Sequence, residues 1–555
     1  MSKSIYLINP ISYCPSYYNL EIFAARGFKP AVSQGELALT TVAAMAPSDF
    51  YVQLCDENIS PVNFDIDVDF VGITGKVSQW GRMVAIANEF RRRGKIVIMG
   101  GPYASLSPDA VRPYCDILVR GEMEEIAEEF FSDLKSGQWK PDYFGEKADL
   151  SRSPVPRWDL YPNNRALVGG VQTSRGCPFD CEFCDVIQYL GRKQRHKPID
   201  LVLKELDVLY RIGYRVAFLA DDNFTVYRAR TKELLAAMKD WNARQVNGRM
   251  RFYTQLSIDA AKDDELLRMC SEAGISHVYI GIETPNEDSL RETKKRQNLK
   301  VNLADRIDRF LDHGIAVSAG MVCGFDHDGL DIFQRQYDFA MSTGVPIWTL
   351  TALLAPDATP LHERMAKDGR LIEEGPEAIK SVLQTNIIPY QMTNQQLEEG
   401  IKWLCNKIYH PVAFGERVIR FIDNFKAREM QKLHKQTTPF RTVEAEAMAI
   451  VASLPQYGLE ESRMWSRICI QLIKTPAATP FVMSMLLQYM QIRLMYERGH
   501  FWEPQLAMEA APKDMGIRTI KIKVTTPESA SNPSEPIVME SSRNLQMEKK
   551  DDVTR

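Results

Sequence analysis

Thr173-Ser174-Arg175-Gly176-Cys177-Pro178-Phe179-Asp180-Cys181-Glu182-Phe183-Cys184 places three cysteines on one loop, three and then two residues apart, just after a strand-like run. Three thiolates this close along a chain can face one point, which suits a metal or an iron–sulfur cluster. A structural zinc site would want a fourth ligand. No fourth cysteine lies nearby, and His196 is the only histidine within reach along the chain. A cluster held by three protein ligands leaves one iron open, and an open iron can bind a substrate.

Cys-x3-Cys-x2-Cys with an aromatic, Phe183, directly before the last cysteine resembles the signature of the radical SAM enzymes. The resemblance implies that Cys177, Cys181 and Cys184 hold a [4Fe–4S] cluster beside Phe183. It implies that the open iron chelates the amino and carboxylate groups of S-adenosylmethionine (SAM). One electron from the cluster then cleaves the sulfonium to methionine and a 5′-deoxyadenosyl radical. The residues alone also allow three buried or zinc-binding cysteines.

Downstream of the loop, strand and helix patterns alternate. Strands are expected at Val171–Ser174, Val216–Ala220, Phe252–Ile258, His277–Ile282, Ala316–Val322 and Trp348–Leu354, with helices such as Ile199–Tyr210 and Lys232–Trp241 between them. Six such units predict a partial (β/α)6 barrel over 166–365, whose chemistry would sit at the carboxyl ends of the strands. Asp221-Asp222-Asn223 follows the second strand, where the resembled family carries Gly-Gly-Glu or a variant to hold the SAM amino group. The departure leaves Asp222 as the match, with Asp221 and Asn223 beside it; adjacent acids in a loop are also ordinary solvated turn residues. Tyr279-Ile280-Gly281-Ile282-Glu283-Thr284-Pro285 is similar to the family's region near adenine and ribose, although Glu283 could simply cap a helix. Gln255 and Ser257 are ribose candidates on the same ground, and Gly320 would allow adenosine close to the backbone.

Upstream, Ile5–Ile8, Tyr51–Leu54, Phe70–Thr74, Lys95–Met99 and Asp116–Val119 read as buried parallel strands, with helices such as Trp80–Arg92 between them. This predicts a doubly wound α/β domain over 1–140, which binds ligands beyond the carboxyl ends of its strands. The strand ends carry Asp56-Glu57-Asn58, Thr74-Gly75-Lys76, Gly100-Gly101-Pro102-Tyr103 and Gly121-Glu122. Directly before a radical SAM motif, such a domain resembles the cobalamin (vitamin B12) domain of the cobalamin-dependent members. Their Asp-x-His-x-x-Gly relatives ligate cobalt through histidine, but no histidine precedes His196 here. Bound cobalamin would therefore lack a histidine ligand; a domain that kept the fold and lost the cofactor is the other reading.

Residues 141–165, with Pro154, Pro156 and Trp158, read as a linker. Residues 366–510 read as a helical extension, including Gln396–Tyr409 and the Met-rich Pro480–Tyr496. Beyond 511 the composition is that of a disordered tail. The whole layout resembles the subgroup that includes hopanoid methylases. That resemblance implies a methyltransferase acting on an unactivated carbon, a small lipid-like or isoprenoid substrate, and a one-electron donor such as a flavodoxin or ferredoxin. A radical coupling, ring-forming or rearranging enzyme, or a zinc-stabilised binding protein, are the rival readings.

At 555 residues with a formal net charge of -4, the chain has two or three domains and no electrostatic footprint for nucleic acid. Ten cysteines in such a length are no disulfide framework. With no signal-peptide layout and no membrane-length apolar run, the sequence predicts a cytoplasmic protein, with peripheral membrane contact left open.

Overall fold

The computed structural model describes residues 2–13, 16–372, 381–426 and 440–512; most of the expected tail, from 513 onward, lies outside them. Strands β1 (Lys3–Asn9), β2 (Val32–Gln34), β3 (Phe50–Asp56), β4 (Phe70–Thr74), β5 (Ile96–Gly100), β6 (Ile117–Gly121) and β7 (Asp142–Gly145) come first along the chain. All but β2 form one parallel sheet in the order β3-β1-β4-β5-β6-β7. The order reverses between β1 and β4, which marks the switch point of a doubly wound sheet. Five of these strands match apolar runs in the sequence. The sixth, β7, is a four-residue edge strand, Asp-Tyr-Phe-Gly, with too few apolar residues to signal itself.

A second sheet contains β8 (Ala166–Val171), β11 (Val216–Leu219), β12 (Arg251–Gln255), β13 (Ile275–Glu283), β14 (Ala316–Cys323) and β15 (Trp348–Ala352), all parallel and in chain order. Between β8 and β11 a two-stranded ribbon joins β9 (Ser174–Arg175) to β10 (Arg195–His196). The (β/α)6 arrangement is as the alternation predicts, except that β8 begins at Ala166 rather than near Val171. Its Gly169 weakens the apolar signal and serves packing: a Cβ there would lie 2.7 Å from Leu209 of the helix Ile199–Ile212.

Six strands do not close a barrel, and the gap is bridged by the N-terminal segment. On one side β2 pairs with β8, Val32 opposite Ala166. On the other, the Tyr17 hydroxyl donates to Leu350 O at 2.8 Å and accepts from Leu350 N–H at 3.1 Å. Tyr409 does the same for Trp348 O (2.5 Å) and N–H (3.0 Å). Two tyrosine hydroxyls thus satisfy the edge of β15 where a further strand would otherwise be needed. Helices Asn394–Tyr409, Pro411–Asn424, Thr442–Ala452, Leu459–Lys474 and Thr479–Arg498 follow the barrel. In the last, Met485, Met490 and Met495 are buried in the core that continues from the barrel, so its methionines are packing. No helix among the described residues is long and apolar enough to cross a membrane.

Candidate active site

The cysteine loop leaves β8 at Val171 and is fastened before it reaches the first thiol. Asp221, 2% exposed at the end of β11, accepts Thr173 N–H at 2.7 Å, Ser174 N–H at 3.0 Å, the Ser174 hydroxyl at 2.9 Å and the Thr173 hydroxyl. Burial pushes this carboxyl up and the four donors work against that. Asp222 accepts Gly176 N–H at 2.7 Å; burial pushes its carboxyl up to about 6. Gly176 has φ +95°, and a Cβ there would lie 2.7 Å from Lys193 O, so glycine alone can make this turn. Asn223 donates to the Ser257 hydroxyl at 2.9 Å, and its buried side-chain oxygen has no partner among the described residues.

The middle of the loop is held from two directions. Glu182 donates its N–H to Thr293 O, and Leu361 N–H donates to Glu182 O, each at 3.1 Å. Arg364, on the helix Pro360–Lys367, reaches the Glu182 carboxylate through Nε at 2.8 Å and a terminal nitrogen at 3.1 Å. The same guanidinium meets Glu292 at 2.8 Å and Asp326 at 2.6 Å. At the loop's start, Arg175 donates to Glu122 at 2.8 Å and to Glu124 at 2.6 Å, and Arg195 donates to Glu122 at 2.5 Å. Glu122, at the end of β6, therefore ties the first sheet to the cysteine loop.

Cys181 is buried, Cys177 and Cys184 are partly open, and none is in a disulfide. Burial raises the Cys177 thiol, and burial followed by the neighbouring Asp185 pushes Cys184 up to about 12. Two thiols that resist ionisation, with Cys181 between them along the loop, are a donor set that needs positive charge from a metal. Among the described residues no three histidine, cysteine or acidic side chains converge closely enough for a single ion. A multi-iron cluster spreads its thiolates further apart and suits a wider triangle. His196, the one nearby histidine, pairs with Ser174 across the ribbon and packs edge-on against Tyr227. Phe183 packs against Phe325, its ring centroid 6.3 Å away.

Lys295 and Glu283 stand opposite the thiols. Lys295 Nζ lies 2.7 Å from Glu283 and 5.9 Å from the Phe183 ring centroid. Burial disfavours its charge, but Glu283, Cys181 and Cys184 more than offset this and hold it above the usual lysine range. Glu283 sits at φ +65°, a conformation a non-glycine residue adopts at a cost and often at functional positions. It does not cap the following helix, which is capped by Asn286. The space beside Gly281 is filled by the Glu283 carboxylate and Lys295, and that beside Gly320 by the Tyr279 hydroxyl. Gln255 is exposed at the end of β12, and Ser257 is buried under Asn223.

The loops at the carboxyl edge of the first sheet face this loop. The helix Pro102–Leu106 packs on the helix Val186–Leu190 that follows Cys184. Burial pushes the Asp185 carboxyl up, and Lys76 acts against it across the gap. At the switch point Gln79 donates to Asn9 at 2.9 Å, leaving the Thr74-Gly75-Lys76 turn at the rim. Other residues singled out by sequence are engaged within the protein. Asp56 accepts from Tyr161 (2.6 Å), Asn9 (3.2 Å) and Asn58 (2.8 Å), while Glu57 pairs with Arg82. Tyr103 is buried against Trp80, with Pro102 at the first turn of its helix. Gly101, at φ +90°, would drive a Cβ into Thr74, and Gly121 would drive one into Gly145 of β7; Gly75 and Gly100 likewise pack close to Met83 and Val119.

Sequence reasoning missed Lys295, Arg364 and Arg175. Lys295 and Arg364 are ordinary basic residues in their own stretches, and only the fold brings them to the cysteines; Arg175 stands two residues before Cys177, but its partners Glu122 and Glu124 come from the loop after β6.

A family model described as the radical SAM superfamily matches residues 171–334, and one described as a domain of unknown function (DUF4070) matches 359–503. The uncharacterized methyltransferase sll1242 of Synechocystis sp. is 34% identical over 421 residues, covering 75% of this chain and 77% of its own. Hopanoid C-2 methylase of Rhodopseudomonas palustris is 28% identical over 344 residues, covering 60% and 65%. Among solved structures, the cobalamin-dependent S-adenosylmethionine radical enzyme OxsB shares the fold, with a TM-score of 0.56 at 14% identity over 92% of this chain and 82% of its own.

Proposed function

We propose a division of labour and a substrate kind for a chain that belongs to the radical SAM superfamily, in its cobalamin-dependent methyltransferase group. It is a radical SAM C-methyltransferase. When bound, the [4Fe–4S] cluster supplies the electron that cleaves SAM, and cobalamin carries the methyl group to a carbon with no lone pair of its own.

Cys177, Cys181 and Cys184 would hold the cluster, with Arg364 and Arg175 fixing the loop that presents them. Asp222, with the unpartnered oxygen of Asn223 beside it, is the acceptor for the SAM ammonium; a charged acceptor is needed once water is excluded. Lys295 is the counter-charge for the SAM carboxylate, and Glu283 holds it in place. Gln255 and Ser257 remain candidates for the ribose. The Thr74–Lys76 turn and the Gly100–Tyr103 segment would cradle cobalamin through backbone and Lys76, with no histidine to cobalt. The substrate is small and lipid-like, the electron donor a flavodoxin or ferredoxin, and the location the cytoplasm, where thiolate clusters survive.

The observation that carries this reading is the placement of three free thiols at the carboxyl end of a half-barrel, facing the switch-point edge of a doubly wound sheet. The test is anaerobic reconstitution with iron, sulfide and hydroxocobalamin, followed by metal analysis and an assay for 5′-deoxyadenosine with SAM and a reductant. About four irons, one retained cobalamin and SAM cleavage are expected. Iron and cleavage without cobalamin would move the reading to a non-methylating radical enzyme. Zinc without iron would overturn it.

A further inference from the structure

We propose that the lumen of the second sheet ends in a carboxylate-binding site built on Arg251, and that its guest is a planar, unsaturated monocarboxylic acid held with the acid group innermost. This rests on the methyltransferase reading above and names the polar end of its substrate. Side chains of β12 alternate between two faces. Phe252 and Thr254 are sealed on the outward face, Phe252 beside Trp241 of the helix Arg228–Ala243. Arg251, Tyr253 and Gln255 share the inward face and keep open surface. Arg251 stands at the amino end of the strand, in register with Val216 of β11. The floor beneath it is the ring of Phe481, from the helix Thr479–Arg498, 5.6 Å from the guanidinium.

That guanidinium makes no hydrogen bond and no ion pair among the described residues. Arginines that serve the fold look different: Arg417 donates to Ile408 O, Pro346 O and Ala413 O, and Arg441 to Ala166 O and Leu167 O. Burial pushes Arg251 down from the usual arginine range, and Glu444 works against this. Glu444 is already engaged, however, accepting the Arg441 backbone N–H and its Nε, each at 2.9 Å. One positive charge at the closed end is therefore left over, and a buried charge without a partner destabilises a protein. A ligand can supply that partner. A single guanidinium fork matches one carboxylate through two parallel hydrogen bonds, charge for charge; a phosphate dianion would bring a second charge with nothing to meet it.

From Arg251 to the rim the wall is aromatic. Phe218, Tyr253 and His277 are register partners on three successive strands. The Phe218 and Tyr253 rings stack at 4.5 Å and 25°, and His277 continues the surface at 6.2 Å and 34°. Tyr18 meets Tyr279 edge-on at 6.2 Å and is 48% exposed, yet burial raises its hydroxyl, so its open surface faces an enclosed space. Such a wall favours a flat guest. Arg251 and Gln255 are four residues apart, roughly 13 Å at the parallel-strand rise, enough for a tricyclic body. At the mouth Lys295 is paired with Glu283, so Arg251 is the cation left for the acid.

The test is equilibrium binding of 2-anthracenecarboxylate to the full chain before reconstitution, read by fluorescence anisotropy, with its methyl ester as the neutral counterpart. Saturable binding of the acid is expected, about tenfold tighter than that of the ester. Arg251→Met should bind acid and ester alike, with ester binding unchanged as the sign that the lumen is intact. Arg251→Lys, which keeps the charge and loses the fork, should keep part of the preference. The comparison of acid and ester on the unaltered chain needs no variant to fold. No saturable binding of the acid, an ester bound as tightly as the acid, or a preference that survives Arg251→Met would overturn the proposal. Loss of iron or of SAM cleavage would instead strike the methyltransferase reading and leave the binding result standing.

Discussion

In the first sheet, β4 and β5 bury both faces: Phe70, Val71 and Ile73 are 2% exposed or less, and Val97 and Met99 are sealed. In the second sheet the outward face is just as closed, but the inward face of β11–β13 stays open to a lumen. Both sheets are parallel and both grow from alternating apolar runs and helices. The difference lies in curvature and in who covers the second face. A sheet with helices on both sides can offer a ligand only its carboxyl edge, whereas one curled on itself offers an edge and an interior. The same pattern in sequence thus yields a rim for one cofactor and a rim plus a cavity for a reaction.

The sharpest way to break that contrast is to remove one clamp from each sheet. Arg364→Met takes the guanidinium from Glu182 and Glu292, while Asp326 keeps Arg370, and should cost about 3 kcal/mol, the low end for breaking a buried pair because this side chain is 28% exposed. Urea unfolding should show that loss, and iron retained against a chelator should fall with it; Arg364→Lys should restore part of both. Arg82→Met, which frees Glu57 in the first sheet, should destabilise the chain and leave iron unchanged. Equal iron loss in the two variants would mean that the cysteine loop has no private anchor.

A second prediction separates lumen from core by pH. Burial pushes His277 down to about 4, against an ordinary histidine value of 6.5. Between these values the unfolded chain binds a proton that the native chain does not, so stability is full above pH 6.5 and falls as pH drops towards 4. The loss is at most about 3 kcal/mol, less to the extent that lumen water reaches the ring. His277→Phe should flatten that part of the urea midpoint against pH. An unchanged slope would place the acid sensitivity elsewhere. The smallest effect is expected at the rim: Lys76→Ala should weaken cobalamin retention severalfold in equilibrium dialysis, with no change in iron. Loss of both would show that the rim and the cysteine loop form one site rather than two.

The central strands were legible because each is a run of apolar residues between helical patterns, and the cysteines because their chemistry is local. Two pieces were not. β2 is Val-Ser-Gln, three residues with no apolar run, and β7 is scarcely longer; short edge strands owe their existence to a partner and carry no periodic signal of their own. Asp221 was visible as an acid at a strand end, but its four donors, the N–H and hydroxyl of Thr173 and of Ser174, come from another loop. Gly101 and Gly121 were visible as glycines; that they admit Thr74 and Gly145 could be known only from packing. Lys295 and Arg364 lie far along the chain from Cys181, and topology rather than spacing unites them.

The bridge formed by Tyr17 and β2 gives the barrel a seam, and seams have an order of closure. The residues that close it are made before the strands they join: β2 has no partner until β8 exists, and Tyr17 has none until β15 is made. During synthesis this N-terminal stretch must wait, with polar backbone unpaired, while several hundred residues are added; such long-range pairing is slow to form. A chain stalled before Leu350 would expose a half-built tube with one raw edge. Completion of the catalytic cavity therefore coincides with the last strand of the sheet, so no partly made chain can hold the finished lumen.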